Sequence, residues 1–181
     1  MRVWVILVVA LLAVALGLAW RVASGGIAPK VGSDAPDFSL PSQDNSQVSL
    51  KNYRGKWVVL YFYPKDATPG CTVEAHNFER DQKLYAERHA VVLGVSVDSV
   101  DSHKRFCASE GLNFKLLADT RYRVSKDYGS LMNFGLVKIA ARHTFLIDPQ
   151  GRIERAFTSV TPSRHSQEVL AALYEAQQAG K

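Results

Sequence analysis

WVVLYFYPKDATPGCTVEAHNFER, residues 57–80 of this 181-residue chain, decides the fold. Its first seven residues are apolar or aromatic β-formers, too few for a helix, and predict a buried strand. Pro64, Pro69 and Gly70 then mark a loop. Beyond the glycine, Val73, Phe78, Leu84 and Tyr85 return at near-helical spacing with charged residues between them, so a helix follows. Cys71 therefore falls where a strand and its loop give way to a helix.

That placement carries chemistry. The first turn of a helix leaves backbone N–H groups unpaired and bears the positive end of the dipole. Cysteines at helix starts are, as a class, readier to form the nucleophilic thiolate. The plain alternative is that Cys71 is a small buried hydrophobe, as most free cysteines are.

Pro64, Thr68 and Cys71 form a Pro-x-x-x-Thr-x-x-Cys pattern, set in the longer string TPGCTVEA at residues 68–75. This resembles the active-site motif of the peroxiredoxins, and in detail their bacterioferritin comigratory protein or peroxiredoxin Q branch. The resemblance runs over residues 31–173. It implies an α/β thioredoxin-like fold, a mixed central sheet flanked by helices, and a thiol-dependent peroxidase with no cofactor. Under that resemblance Cys71 attacks the O–O bond of hydrogen peroxide or an organic hydroperoxide and becomes a sulfenic acid. Thr68 directs its hydroxyl towards sulfur and peroxide, and Pro64 shields the thiolate. Arg142, in an RHTFLID string that resembles the family's arginine-bearing strand, supplies a fixed guanidinium; Arg121, Arg123 and Arg152 are the alternative cations. Glu74 also fits the family string, as a partner for an arginine or as a charge at the helix N-terminus.

Many relatives carry a resolving cysteine five residues after the nucleophile, where this chain has His76. The second of its two cysteines is Cys107, and SHKRFC at residues 102–107 resembles the version in which the next helix carries the resolving thiol. The resemblance thus implies a Cys71–Cys107 disulfide as intermediate, recycled by a thioredoxin-like donor, in a branch that is often monomeric. Cys107 as buried filler is the alternative. A disulfide needs Cα atoms about 4.4–6.8 Å apart. Cysteines on separate helices seldom meet that, so resolution is expected to require local unfolding around both.

Composition narrows the remaining classes. The net charge of +5 has no dense Lys/Arg run behind it, which argues against a nucleic-acid partner. Two cysteines cannot build a disulfide framework. His76, His103 and Cys107 lack zinc-site spacing, so no metal is expected; His89, His143 and His165 carry no signal. The absence of Cys-x-x-Cys weighs against a membrane-tethered thiol–disulfide oxidoreductase, the rival enzyme on this fold. A non-enzymatic redox sensor using the same disulfide is the other rival.

Residues 3–20 are an apolar run bracketed by Arg2 and Arg21, long enough for a transmembrane helix. We read residues 1–22 as a hydrophobic helix anchoring the protein to a membrane, with a cleaved secretory signal as rival. Residues 23–30 read as a flexible linker, and residues 31–181 as the catalytic domain, placed on the extracytoplasmic side. Within it, strands are predicted at 47–50 and 90–97, and a helix from an N-cap at Ser99 or Asp101 to Gly111. A helical stretch is expected at 123–128. Residues 142–153 read as strand, turn, strand about Asp148 and Gly151, and an amphipathic helix at 163–178 closes the chain.

Overall fold

The computed structural model describes residues 26–179. It opens with a short antiparallel pair, β1 (Ser39–Pro41) and β2 (Gln47–Ser49), and a 3-10 turn (Leu50–Tyr53). β3 (Trp57–Phe62) follows, then α1 (Pro69–Arg80), α2 (Gln82–Glu87), β4 (Ala90–Ser96), α3 (Val100–Glu110), β5 (Lys115–Ala118) and α4 (Arg123–Asp127). A hairpin of β6 (Leu131–Asn133) and β7 (Lys138–Ala140) precedes β8 (Thr144–Ile147), β9 (Ile153–Phe157) and α5 (His165–Ala179).

The strand read first from the sequence is the middle of a five-stranded sheet ordered β5-β4-β3-β8-β9. β3 runs parallel to β4, because α1 and α2 carry the chain back across the sheet before it re-enters. It runs antiparallel to β8. β8 and β9 are antiparallel because the turn between them is tight: Gly151, at φ 85°, donates its N–H to the Asp148 carbonyl at 2.9 Å. The sheet is therefore mixed, in a thioredoxin-like α/β arrangement.

Every β3 residue after Trp57 is buried, and the two faces feed separate cores. Val59 and Tyr61, with Tyr63 just beyond the strand, join Cys71, Ala75 and Phe78 of α1, Phe106 and Cys107 of α3, and Val169, Ala172 and Leu173 of α5. Val58, Leu60 and Phe62 face Ala35, Phe38, Val124 and Tyr128 on the other side. Period-two alternation thus sorts one apolar strand between two cores. Truncating Leu60 to alanine in such a setting costs about 2–5 kcal/mol. α3 is bounded by its own residues: the Ser99 hydroxyl caps the Ser102 N–H at 3.2 Å, and Gly111 closes the helix in the left-handed region at φ 66°.

The expected N-terminal hydrophobic helix and membrane anchor fall on residues 1–22, outside the described residues. Among the described residues no helix is long and apolar enough to cross a membrane. The longest of them, α5, has 15 residues, about 22 Å of helix against a hydrocarbon core of about 30 Å. Of the stretch read as linker, Gly26 and Ala28 lie against the end of α4: a side-chain carbon at Gly129 would fall 2.3 Å from the Ala28 nitrogen. The β6–β7 hairpin has no counterpart in the sequence reading, and Leu136 and Val137 at its tip are exposed.

Candidate active site

The chain leaves β3 through Tyr63 and Pro64 and reverses at Ala67, a non-glycine residue at φ 56°. That left-handed conformation costs an alanine roughly 1 kcal/mol. It turns Thr68 into the N-cap position of α1, with extended backbone (φ −93°, ψ 146°) and Pro69 as the first helical residue. Cys71 is the third residue of the helix and only 2% exposed.

Sheet register brings the guanidinium to it. β3 and β8 pair Tyr61 with Thr144, and the ladder continues as Phe62 donates its N–H to the His143 carbonyl at 2.7 Å. Arg142 therefore leaves the sheet beside the end of β3, next to the start of α1. Its Nη2 donates to Cys71 Sγ at 3.2 Å, and its Nη1 donates to Glu74 Oε2. Glu74 sits one turn after Cys71 on the same helix and is 0% exposed. Its second oxygen, Oε1, meets no hydrogen-bond partner among the described residues. Burial pushes the Glu74 carboxyl up to about 7, and Arg142 pulls it only part of the way back. Burial opposes the charge on Arg142 too, yet Glu74 and the cysteine sulfur outweigh it and raise its pKa. Of the alternative cations, Arg152 is engaged by Asp148 at 3.0 Å and Arg123 by Asp127 at 3.6 Å.

Thr68 stands beside the site with its hydroxyl turned elsewhere. It donates to the Lys65 carbonyl at 3.0 Å and closes the loop rather than contacting sulfur. Pro64 is half-buried between β3 and that loop. Cys107 occupies the buried face of α3 with His103 and Phe106, and shares the core layer that contains Cys71. Both thiols are free. Burial, with Asp66 and Glu79 adding to it, pushes the Cys107 thiol up to about 11. At 8% exposure it forms part of the floor of a surface cleft with Asp44, Asn45 and Lys104. His76, at the position where many relatives have a cysteine, is exposed and lies 3.0 Å from Glu110.

The sequence reading missed a buried polar cluster behind the loop. Tyr63 donates its hydroxyl to Asp66 Oδ1 at 2.7 Å, and His103 Nδ1 lies 2.9 Å from Asp66 Oδ2. The Asp66 N–H is held by Asp98 Oδ2 at 2.9 Å. An aspartate in a Pro-Lys-Asp-Ala-Thr run reads as an ordinary turn residue. Only its burial distinguishes it.

The AhpC/TSA family matches residues 31–156. The putative peroxiredoxin bcp of Helicobacter pylori strain J99 is 43% identical over 148 residues, covering 80% of this chain and 97% of its own length. Peroxiredoxin Bcp of Bacillus subtilis is 40% identical over 148 residues, 80% and 94% of the two chains. Among solved structures, a cysteine-to-serine mutant of Xylella fastidiosa PrxQ superposes with a TM-score of 0.79 at 34% identity, covering 84% of this chain and 99% of that one. The bacterioferritin comigratory protein of Xanthomonas campestris, described for its alkyl peroxide reduction activity, gives 0.75 at 34% identity over 81% and 99%.

These matches correct the membrane reading. They run over nearly the whole of each relative, whose names describe peroxiredoxins, and among the described residues no helix is long and apolar enough to cross a membrane. Membrane attachment, an extracytoplasmic location and the tethered oxidoreductase lose their basis with that reading. The chain belongs to the AhpC/TSA family, among the Bcp and peroxiredoxin Q members, and is a peroxiredoxin, a thiol-dependent peroxidase.

Proposed function

We propose that this enzyme reduces hydrogen peroxide and organic hydroperoxides at Cys71, resolves the product with Cys107, and is recycled by a thioredoxin-like dithiol. The observation that carries the reading is the 3.2 Å hydrogen bond from Arg142 to the Cys71 sulfur, with Arg142 held from behind by a fully buried Glu74. An arginine keeps its charge at any working pH and presents several donors in one plane. Anchored on Glu74, it has a donor for the sulfur and for charge developing on the peroxide oxygens, with little reorganisation at the moment of reaction.

In the first step the Cys71 thiolate takes the terminal peroxide oxygen. The O–O bond breaks, Cys71 becomes a sulfenic acid, and the other oxygen leaves as alkoxide or hydroxide and is protonated. Thr68 joins this step after its hydroxyl swings from the Lys65 carbonyl towards the sulfur. Pro64 limits water at the loop. In the second step Cys107 attacks the Cys71 sulfenic sulfur, giving the disulfide and water. Cys71 belongs to the first turn of α1 and Cys107 to the last turn of α3, so the approach of their sulfurs requires local unwinding. The alkyl peroxide activity described for the Xanthomonas relative supports organic hydroperoxides as a substrate class. The redox-sensor reading shares the disulfide but needs no turnover.

Mass analysis of protein treated with one equivalent of peroxide, without reductant and followed by peptide mapping, tests the scheme. A Cys71–Cys107 crosslink that thioredoxin removes, with catalytic peroxide consumption, is the expected result. A stable Cys71 sulfenic acid with Cys107 still free would sink the second step.

A further inference from the structure

The cluster behind the active-site loop ties that loop to the helix carrying Cys107. Asp66 lies five residues before Cys71, and His103 lies one helical turn before Cys107 on the same buried face of α3. His103 is 0% exposed. Asp66 Oδ2 and Oδ1 lie 2.9 and 3.1 Å from its Nδ1, and the Tyr63 hydroxyl lies 3.3 Å from the same atom. A carboxylate only accepts, so Nδ1 carries the hydrogen. In the neutral ring the lone pair then lies on Nε2, which is buried and has no hydrogen-bond partner among the described residues. A neutral imidazole fixed in one tautomer by a carboxylate, with its far nitrogen unoccupied, is the arrangement of a general base.

Resting on the reading of Cys107 as the resolving thiol, we propose that His103 accepts the proton of Cys107 during disulfide formation, with Asp66 and Tyr63 as the positioning residues that align its ring. In this state no hydrogen bond joins His103 to Cys107; the contact forms when α3 loosens for resolution. The need for a base follows from Cys107 itself, whose buried thiol is pushed up to about 11 and holds its proton near neutrality. The step balances within the protein. Cys107 S–H gives its proton to Nε2, the Cys107–Cys71 S–S bond forms, and the Cys71 S–O bond breaks. The imidazolium then returns the proton to the departing hydroxyl, which leaves as water. Cys107 is oxidised, Cys71 is reduced from the sulfenic level, and no outside reagent enters.

Among the described residues, the ionisable groups bonded to the ring are Tyr63 from the end of β3 and Asp66 from the loop, with Cys107 one turn further along α3. Burial holds the Tyr63 hydroxyl well above its ordinary pKa. Burial also works against the Asp66 carboxylate, but the His103 interaction outweighs it and lowers its pKa. Neither therefore titrates between neutrality and mild alkali.

The test is the lifetime of the Cys71 sulfenic acid, trapped with dimedone at intervals after mixing the reduced full-length chain with one equivalent of hydrogen peroxide. Loss of the Cys71 thiol is timed separately, so resolution is read by itself. His103→Asn keeps a donor for Asp66 and deletes the basic nitrogen. Near pH 7 its sulfenic acid should persist about a hundredfold longer than in the wild type, the low end of what a general base contributes. The deficit should shrink towards about pH 9.5, where more Cys107 is already thiolate. Lifetimes within about twofold near pH 7, or the same deficit at both pH values, overturn the proposal; the second is the signature of a helix merely disturbed. Asp66→Asn leaves the ring in place and releases its tautomer. It should show the same trend in weaker form, and if His103→Asn does not fold, a wild-type lifetime in Asp66→Asn overturns the proposal instead. Wild-type protein that forms no Cys71–Cys107 disulfide overturns both readings. A disulfide that forms at wild-type rate in both variants overturns this one alone.

Discussion

Replacing Glu74 with glutamine keeps the shape of the site and removes its buried negative charge, and the structure sets the size of the effect. Burial raises the Glu74 carboxyl from 4.5 to about 7 despite Arg142 alongside. At about 1.4 kcal/mol for each pH unit, that displacement corresponds to roughly 3 kcal/mol. The pKa is higher in the folded than in the unfolded chain, so this stability is fully present below about pH 4.5 and is lost as pH rises through about 7. His165 works the other way. Burial lowers it from 6.5 to about 4, so its contribution is present above about 6.5 and lost as pH falls through about 4. The two partly cancel in the wild type, and only a comparison with Glu74→Gln isolates the carboxyl. Urea unfolding of both reduced proteins at about pH 5 and pH 8 should show the variant gaining roughly 2–3 kcal/mol on the wild type over that interval. Its peroxide reaction should meanwhile fall by about tenfold or more, because Arg142 loses the partner that aims it. A stability difference that stays constant within about 0.5 kcal/mol would refute the assignment of a buried carboxyl at position 74 whose charged form folding disfavours.

Three further outcomes are expected. Arg142→Lys should lower the second-order rate with hydrogen peroxide by about 10²–10³-fold, since an ammonium is a poor substitute for a guanidinium engaging Glu74 and Cys71 together; stopped-flow consumption of peroxide measures it, and a change under threefold would remove Arg142 from the step. Thr68→Val should cost about 1 kcal/mol from the lost bond to Lys65 and also lower the peroxide rate, whereas Thr68→Ser restores both; an unchanged rate in the valine variant would leave Thr68 as a loop residue only. Cys71→Ser should abolish turnover with thioredoxin, and Cys107→Ser should stop it after one equivalent of peroxide with a sulfenic acid at Cys71; continued turnover in Cys107→Ser would require another resolving thiol.

The parts of this protein that were legible in its sequence are those set by neighbours along the chain. Seven apolar residues, a proline-rich loop and a returning helical period located β3, its loop and α1. Asp148 and Gly151 marked the β8–β9 turn, and Ser99 or Asp101 with Gly111 the ends of α3. Each depends on backbone chemistry within a few residues. The motif about Cys71 likewise named Thr68 and Glu74, and the RHTFLID string named Arg142. A long apolar run at residues 3–20 invited a membrane anchor on length alone, and that reading did not survive the comparison with relatives.

What only the tertiary structure decided is who meets whom. Arg142 reaches Cys71 because antiparallel pairing of β8 with β3 delivers it beside the first turn of α1, a register that no local pattern encodes. Asp66 and His103 become a buried pair because the loop after β3 and the inner face of α3 close on one core layer, hydrogen-bonding two surface-type residues and leaving His103 Nε2 unpartnered among the described residues. The Thr68 hydroxyl turns to Lys65 because the loop needs a donor there in the resting state. A sequence states each residue's own preferences. Charge, reach and proton affinity at a site come from burial and from partners that the chain supplies dozens of residues away.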